Sequence, residues 1–193
     1  MDLTQFTDKE KHDRAKKMML WFGIASLIMG FAGVTSAYIV SSSREDWIQG
    51  LELPQAFYIS TAIIILSSFT FIIAKKASKN DKSKQATTWL LVTLGLGIAF
   101  IVLQFFGFQE MLGKGYYFTG PTSSIKMSYV FLIAIVHIVH VVAGLIALLV
   151  VLYKQMKGKY SSKEFLGITL GATFWHFLGI LWVYLILFMS FVK

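Results

Sequence analysis

Five long apolar segments alternate with short polar segments along this chain. Each apolar segment has roughly the 20 residues that an α-helix needs to cross the ~30 Å hydrocarbon core of a bilayer. The predicted spans are about residues 18–40, 55–74, 87–111, 127–153 and 165–191. The pattern therefore predicts an all-α polytopic membrane protein, with residues 1–193 forming a single membrane domain that is a five-transmembrane-helix bundle.

The polar segments contain signals for the start of a helix. Thr7 and Glu10 have the spacing of a capping box, in which each side chain accepts a hydrogen bond from the other residue's backbone N–H group. Ser161 and Glu164 repeat that spacing before the fifth span. Pro54 suits the first turn of the second helix, where its missing N–H group costs nothing. We therefore expect helices to begin close to these positions.

Small residues recur at four-residue intervals in two of the spans. Small side chains at this spacing let a neighbouring membrane helix approach closely, so we expect both helix faces to be packing surfaces. In the first span the residues are Ser26, Gly30, Gly33 and Ala37, and in the fifth they are Gly167, Gly171 and Gly179. In the loop after the first span, Trp47 is expected to anchor the chain at the membrane interface.

Basic residues are distributed unevenly between the two ends of the predicted bundle. The N-terminal segment and the loops after the second and fourth spans hold 14 of the 18 lysines and arginines. Because loops rich in lysine and arginine stay in the cytoplasm, the N-terminus is predicted to be cytoplasmic and the C-terminus to lie outside. The chain shows no internal repeat, which disfavours an inverted-repeat transporter.

Composition narrows the class of protein further. The chain is 56% hydrophobic, has a formal charge of +8 and contains no cysteine. The missing cysteines exclude disulfides, thiolate metal sites and iron–sulfur clusters. No basic soluble domain is present to bind a nucleic acid. The first apolar run is too long for a cleavable signal, and no arginine-rich transit peptide precedes it, so we expect a multi-pass protein of the bacterial inner membrane.

Three histidines lie inside predicted spans. His137 and His140 share one face of the fourth helix, and His176 lies in the fifth. They could ligate a haem, which would make the chain a free-standing histidine-ligated membrane cytochrome, but neither span contains a carboxylate that would complete a metal site. The alternative is neutral histidines that form hydrogen bonds between helices. Gln104 in the third span is expected to do the same, while Glu110 near the end of that span is expected to be hydrated.

The polar and aromatic residues of the last three spans resemble the motifs of a known family. Trp175, His176, Phe177 and Trp182 resemble the W-H-F-x-D-x-x-W signature of subunit III of the haem-copper terminal oxidases, the cytochrome c oxidase subunit III family. The pair His137 and His140, followed by Gly144, resembles the H-G-x-H-x-x-x-G of that family, and Gln104 resembles the glutamine in an earlier helix of the family. The resemblance covers about residues 18–192 and is to the short, five-helix bacterial form.

The chain departs from the family pattern at four positions. Ser26, Gly107 and Gly179 stand where the family has carboxylates, and Ile138 stands where it has a glycine. Proton-transfer roles that depend on those carboxylates are therefore not expected here. Packing, lipid binding and contact with subunit I do not require them.

The resemblance implies a function for the chain within a larger complex. It implies a non-catalytic subunit III of a bacterial proton-pumping cytochrome c oxidase, which reduces O2 to water in the aerobic respiratory chain. Haem and copper would lie in subunits I and II, with no cofactor or metal in this chain. The alternative is subunit III of a quinol oxidase or of a nitric-oxide-reductase-associated homologue.

The resemblance also implies partners and contact residues. The expected partners are oxidase subunits I and II, phospholipid and a larger respiratory supercomplex with the cytochrome c-reducing complex, and no nucleic acid. No catalytic residue is expected in this chain. The residues expected to contact lipid, neighbouring helices or subunit I are Gln104, His137, His140, Trp175, His176 and Trp182.

Overall fold

A computed structural model describes residues 7–44, 47, 53–120, 123–160 and 164–192, and within these ranges the chain is built from helices. All five helices are long and apolar enough to cross a membrane, which confirms the predicted all-α five-helix architecture. Each predicted span lies almost entirely within one helix. The helices are α1 (Asp8–Ser41), α2 (Gln55–Lys79), α3 (Ser83–Gly113), α4 (Ile125–Met156) and α5 (Leu166–Phe191).

One of the two predicted capping boxes is formed. The Thr7 side chain accepts from the backbone N–H of Glu10, and the Glu10 carboxylate accepts from the backbone N–H of Thr7 at 2.9 Å. Ser161, the first residue of the second box, lies outside the described residues. Helix α5 begins at Leu166 after Phe165, and the Glu164 side chain instead pairs with Lys9 at the start of α1.

Helices α2, α3, α4 and α5 form a ring in which each helix packs against two neighbours. Helices α2 and α3 pack most extensively, because the short connection between them makes them an antiparallel hairpin. Their hydroxyl groups meet where Thr70 Oγ1 and Thr93 Oγ1 lie 2.8 Å apart. At the connected end of this hairpin, the Gln155 amide of α4 accepts from Ser78 and donates to Ser83, each at 3.1 Å. The ring encloses the core of the protein.

Helix α1 lies outside the ring and contacts only α4 and α5 among the described helices. Its most buried residue is Tyr38, whose ring packs against Trp47, Tyr129 and Phe188 at centroid distances of 4.8, 5.8 and 5.1 Å. The Trp47 side chain is only 8% exposed because it covers Tyr38. Its expected position at the membrane interface stays a prediction.

The two small-residue faces differ in what they pack against. On α5, a Cβ atom added to Gly171 or Gly179 would meet Val151 at 3.0 Å or Ser68 at 3.2 Å, so neighbouring helices approach closely there. On α1, a Cβ atom at Gly30 or Gly33 would meet nothing within 4 Å. The expected close packing is therefore present on α5, whereas the small-residue face of α1 is not used within the described chain.

Candidate functional site

The Trp175 side chain of α5 contacts the three other helices of the ring. Added Cβ atoms at Gly97 of α3 and Gly144 of α4 would meet the Trp175 ring at 2.7 and 3.3 Å, so both glycines leave space that this ring occupies. The indole N–H donates to Ser67 Oγ of α2 at 3.0 Å. The side chain is 1% exposed. Trp175 therefore connects α5 to α2, α3 and α4 by packing and one hydrogen bond.

Trp182 repeats this arrangement two turns further along α5. Its indole N–H donates to Thr61 Oγ1 of α2 at 3.1 Å. The ring lies edge-to-face with Phe57 of α2 and Phe100 of α3, at centroid distances of 5.8 and 5.4 Å. This is the geometry that aromatic pairs prefer. The two tryptophans of the sequence motif thus fix one face of α5 against the rest of the ring.

His137 of α4 lies inside this aromatic cluster. Its ring stacks on Trp182 at 5.0 Å and meets the edges of Phe100 at 6.1 Å and Phe31 at 6.3 Å. The side chain is fully buried, and neither ring nitrogen has a hydrogen-bond partner among the described residues. The imidazole therefore acts here as a flat aromatic surface.

His140 is one turn further along α4 but faces α1. Its Nδ1 atom lies 2.7 Å from the backbone oxygen of Val136, and its ring meets Phe31 at 5.9 Å. It lines an apolar cavity of about 300 Å³ between α1 and α4, which Ser26, Gly30 and Phe31 also line. The serine that stands in place of the family carboxylate therefore faces the same cavity as this histidine.

His176 faces a third direction. Its ring is half-buried and lies 6.1 Å from the Phe71 ring of α2. The three histidines therefore have different surroundings: His137 lies inside the ring, His140 faces α1, and His176 packs on α2. No group of three potential metal-ligating side chains forms in the described part of the chain. This arrangement does not favour the haem-ligand hypothesis, because facing histidines would have to converge on one group.

Gln104 is fully buried between α3 and α2. Its amide nitrogen donates to Ser60 Oγ at 2.8 Å, and the Ser60 hydroxyl in turn donates to the Phe57 carbonyl at 2.8 Å. This chain of donors fixes the orientation of the amide. The Gln104 Oε1 atom has no partner among the described residues.

Helix α2 supplies the acceptors for this whole cluster, a role that sequence reasoning missed. Ser60, Thr61 and Ser67 accept from Gln104, Trp182 and Trp175. Ser60 and Thr61 also donate back to the Phe57 carbonyl of their own helix, which is the only role that their sequence context suggests. The signal that could have identified them is the number of serines and threonines in one apolar span.

Both glycines that stand where the family has carboxylates are in close contact with other side chains. An added Cβ atom at Gly107 would clash with the Phe57 ring, and one at Gly179 would meet Ser68 Oγ at 3.2 Å. A carboxylate at Gly107 could not be accommodated without moving Phe57. The surrounding side chains are therefore packed closely against glycine at both positions.

The lysine-rich end of the bundle has a different character. Lys9 of α1 pairs with Glu164, which precedes α5. The hydrogen bond and the positive charge of Lys9 hold the pKa of the Glu164 carboxyl below its ordinary value of 4.5. Nearby, Tyr160 packs against Gly167, and burial raises the pKa of its hydroxyl. These contacts connect the beginnings of α1 and α5.

Comparison with known proteins gives one family. The family described as Cytochrome c oxidase subunit III matches residues 19–192. The chain is 33% identical to the cytochrome bo(3) ubiquinol oxidase subunit 3 of Pseudomonas aeruginosa over 167 residues, which covers 84% of this chain and 78% of that protein. It is 28% identical to the cytochrome c oxidase subunit 3 of Corynebacterium diphtheriae over 173 residues, covering 86% and 82% of the two chains.

A third relative covers more of the chain. The probable quinol oxidase subunit 3 of Staphylococcus aureus is 29% identical over 191 residues, covering 94% of this chain and 92% of that protein. These findings confirm the resemblance based on the tryptophan and histidine motifs, and with the five apolar helices they identify a multi-pass protein of the bacterial inner membrane. The chain belongs to the cytochrome c oxidase subunit III family, whose members are the subunit III of haem-copper oxidase complexes, work with partner oxidase subunits and carry no redox cofactor themselves.

Proposed function

We propose that this chain is the non-catalytic subunit III of a bacterial proton-pumping oxidase that reduces O2 to water, and that it stabilises subunit I. The observation that carries this proposal is the core around Trp175, Trp182 and His137. Every polar contact in that core joins one helix of the chain to another or to its own backbone. Such a core suits a rigid membrane scaffold.

For the electron donor, we propose a quinol. Two of the three relatives above are named for quinol oxidases, including the one with 33% identity. Cytochrome c remains the second candidate, because the Corynebacterium diphtheriae relative at 28% identity is named for cytochrome c oxidase. In either case the donor would bind to other subunits of the complex.

Purification of the complex through an affinity tag on this chain tests both proposals. Subunits I and II should co-purify in equal amounts, and the preparation should consume O2 with a short-chain quinol but not with reduced cytochrome c. If only cytochrome c supports O2 consumption, the second candidate is correct. If the chain never purifies with subunits I and II, the subunit proposal is wrong. A respiratory supercomplex remains a prediction, to be tested in the same preparation.

For the contact residues, we propose two roles. Gln104, His137, Trp175 and Trp182 would hold the helices together, since all four are buried inside the ring. His140 and His176 would contact lipid or subunit I. The support for lipid at His140 is the apolar cavity of about 300 Å³ between α1 and α4, which is of the right character for an acyl chain.

The orientation in the membrane is also a proposal. We propose that the N-terminus lies in the cytoplasm. The bundle gathers the start of α1, the end of α4 and the start of α5 at one end, where five lysines line a common cleft. That clustering is the arrangement that the positive-inside rule predicts for the cytoplasmic side.

A further inference from the structure

The apolar cavity of about 300 Å³ between α1 and α4 also contains two polar side chains. Ser26 of α1 and His140 of α4 are the polar members of its wall among the described residues. The other lining residues are Leu27, Gly30, Phe31, Val34, Ile133 and Val136. Binding sites for small organic molecules typically have this composition, with a mostly apolar wall and a few polar groups that orient the ligand.

The hydrogen bond of His140 determines which of its ring nitrogens can accept. The Nδ1 atom lies 2.7 Å from the Val136 carbonyl oxygen, which can only accept, so Nδ1 carries the proton of the neutral ring. The Nε2 atom then has a free lone pair, and among the described residues it has no donor. His140 therefore offers a hydrogen-bond acceptor to a ligand in the cavity.

The Ser26 hydroxyl is also available to a ligand. Thr35, in the same helix, donates its hydroxyl hydrogen to the Phe31 carbonyl at 2.9 Å, as hydroxyl groups in membrane helices commonly do. The Ser26 hydroxyl has no such bond, nor any other hydrogen-bond partner in the described part of the chain. Ser26 also stands where the family has a carboxylate, and its shorter side chain leaves space in the cavity that an aspartate or a glutamate would occupy.

The cavity opens towards the outer surface of α1. Ser26 and Gly30 are exposed on that surface. The neighbouring Gly23 and Gly33 also leave the surface uncovered, since a Cβ atom added to either would meet nothing within 4 Å. A flexible hydrocarbon tail can therefore lie along this side of α1 while a polar ring attached to it occupies the cavity.

We propose that this cavity binds a quinol, with the quinol ring between Ser26 and His140. One quinol hydroxyl donates to His140 Nε2, and another oxygen on the ring accepts from the Ser26 hydroxyl. The isoprenoid tail lies along the small-residue face of α1. The inference deepens the proposed function and rests on the proposed quinol specificity for the choice of ligand, since two relatives are named for quinol oxidases. It adds a site in this chain to the donor site in other subunits.

The two polar groups distinguish a quinol from an acyl chain and from a quinone. An acyl chain has no polar atom for Ser26 or His140, so both groups would stay unpaired in an apolar cavity, which is costly. A quinone has carbonyl oxygens that accept from Ser26 but cannot donate to His140. A quinol satisfies both groups, and one additional hydrogen bond typically improves affinity by about fivefold.

The test uses the tagged chain purified with the oxidase complex and a tritiated azido-decylbenzoquinol as a photoreactive probe. The unmodified chain is compared with Ser26→Leu, which fills the cavity and removes its hydroxyl, and with Ser36→Leu. The Ser36 control makes the same change at an exposed position of the same helix that does not line the cavity. Labelling is done without O2 and with cyanide, so that the complex does not oxidise the probe. Digestion and mass spectrometry then locate the label.

We expect the label on peptides of α1 and α4 around Ser26 and His140, both in the unmodified chain and in the Ser36→Leu control. In Ser26→Leu this label should fall at least about tenfold, because the leucine overfills the space of the quinol ring. Equal labelling of all three forms would overturn the proposal, as would a label confined to other subunits. If phosphatidylethanolamine displaces the probe as well as unlabelled decylbenzoquinol does, the cavity is an acyl-chain site and the quinol assignment is wrong.

A second variant, His140→Phe, removes the acceptor and keeps an aromatic ring against Phe31. In the unmodified chain, unlabelled quinol should displace the probe about fivefold more effectively than the corresponding quinone. In the variant the two should be equally effective, because a phenyl ring cannot accept the hydroxyl hydrogen in this way. A preference for quinol that persists in His140→Phe would overturn the placement of the quinol ring between Ser26 and His140.

The same preparations separate this proposal from the proposed electron donor. O2 consumption with a short-chain quinol reports on the donor site in the other subunits, whereas the position of the label reports on the cavity. Quinol-driven O2 consumption without label on α1 or α4 would contradict the cavity proposal only. Label on these helices in a complex that consumes O2 only with reduced cytochrome c would contradict the donor proposal only.

Discussion

Single residues fix the position of the Trp175 ring, which packs against Gly97 on one helix and Gly144 on another. Glycine is needed at both positions because a methyl group would occupy the space of the indole, and not because the backbone requires it. Gly95, two residues from Gly97, has the opposite character, since a Cβ atom there would meet nothing within 4 Å. The two glycines on one helix therefore make a matched pair for substitution.

Gly97→Ala should destabilise the protein by roughly 1–3 kcal/mol, which is the usual cost of overpacking a core. The new methyl group would lie 2.7 Å from the Trp175 ring and 2.8 Å from Leu145, so the tryptophan must move. Gly95→Ala should leave the stability unchanged or raise it by up to about 1 kcal/mol, because alanine favours the helix. Thermal unfolding in detergent compares the two variants. Equal melting temperatures would contradict the packing described here.

His137→Phe should preserve both the stability and the oxidase activity. Neither nitrogen of this buried ring has a partner among the described residues, and the phenyl ring keeps the stacking on Trp182. Removing a buried, unsatisfied polar group costs nothing and could raise the stability by roughly 1 kcal/mol. His137→Ala should instead lose about 3 kcal/mol through the cavity that it leaves. Loss of oxidase activity in a stable His137→Phe complex would show that the imidazole has a chemical role.

The sequence singled out the hydrogen-bond donors of this cluster but not their acceptors. Polar groups in an apolar span need hydrogen-bond partners, and this drew attention to Gln104, Trp175 and Trp182. Their acceptors Ser60 and Ser67 did not stand out, because a serine in a membrane helix can always bond to its own backbone. Whether such a serine also accepts a hydrogen bond from another helix depends on how the two helices are rotated relative to each other. The sequence around the serine does not specify that rotation.

At the scale of the helices, α1 differs from the other four. It packs on α4 and α5 mainly through its second half, where Phe31, Thr35 and Tyr38 are buried. In the first turn of α1, Lys9 forms an ion pair with Glu164, which precedes α5. This contact is exposed, so salt and pH should both affect it.

Glu164→Gln should loosen the first turns of α1 without unfolding the ring. The folded state lowers the pKa of Glu164, so the ion pair stabilises the protein above the ordinary pKa of 4.5 and stops doing so as the pH falls through the lower value. Hydrogen exchange should therefore speed up around Asp13 in the variant at pH 7, and in the unmodified chain only below pH about 4.5. Glu110→Gln, which removes a partner of Lys114 at the end of α3, is the control and should not change exchange near Asp13.

Hydropathy was sufficient to predict the five helices. In a bilayer, the backbone N–H and C=O groups of a single long apolar segment find hydrogen-bond partners within that segment only if it is a helix. The start of α1 was predicted by another signal. The helix begins at Asp8, as the capping box at Thr7 predicts, and its polar first turns run without a break into the apolar span. The contact between Trp47 and Tyr38 was not predicted, because no local pattern in the sequence pairs these two aromatic residues.

At the scale of the whole molecule, the two ends of the bundle differ in charge, and this difference makes the proposed orientation testable. The chain contains no cysteine, so single-cysteine variants can be labelled without a background signal. Lys84→Cys at the lysine-rich end and Thr119→Cys at the other end are both exposed positions. In intact cells, a membrane-impermeant maleimide should label Thr119→Cys and not Lys84→Cys. The reverse pattern would overturn the orientation.

The closed ring also has a consequence for how the protein is made. Helices α2 and α3 can pair as soon as both are inserted, but α2 receives the indole N–H groups of Trp175 and Trp182 only when α5, which follows them in the chain, has entered the membrane. Until then Thr61 and Ser67 lack their donors from α5, and one side of the His137 ring is uncovered. The ring therefore closes only when α5 has joined a hairpin that formed earlier, and α5 is the helix whose insertion completes the bundle.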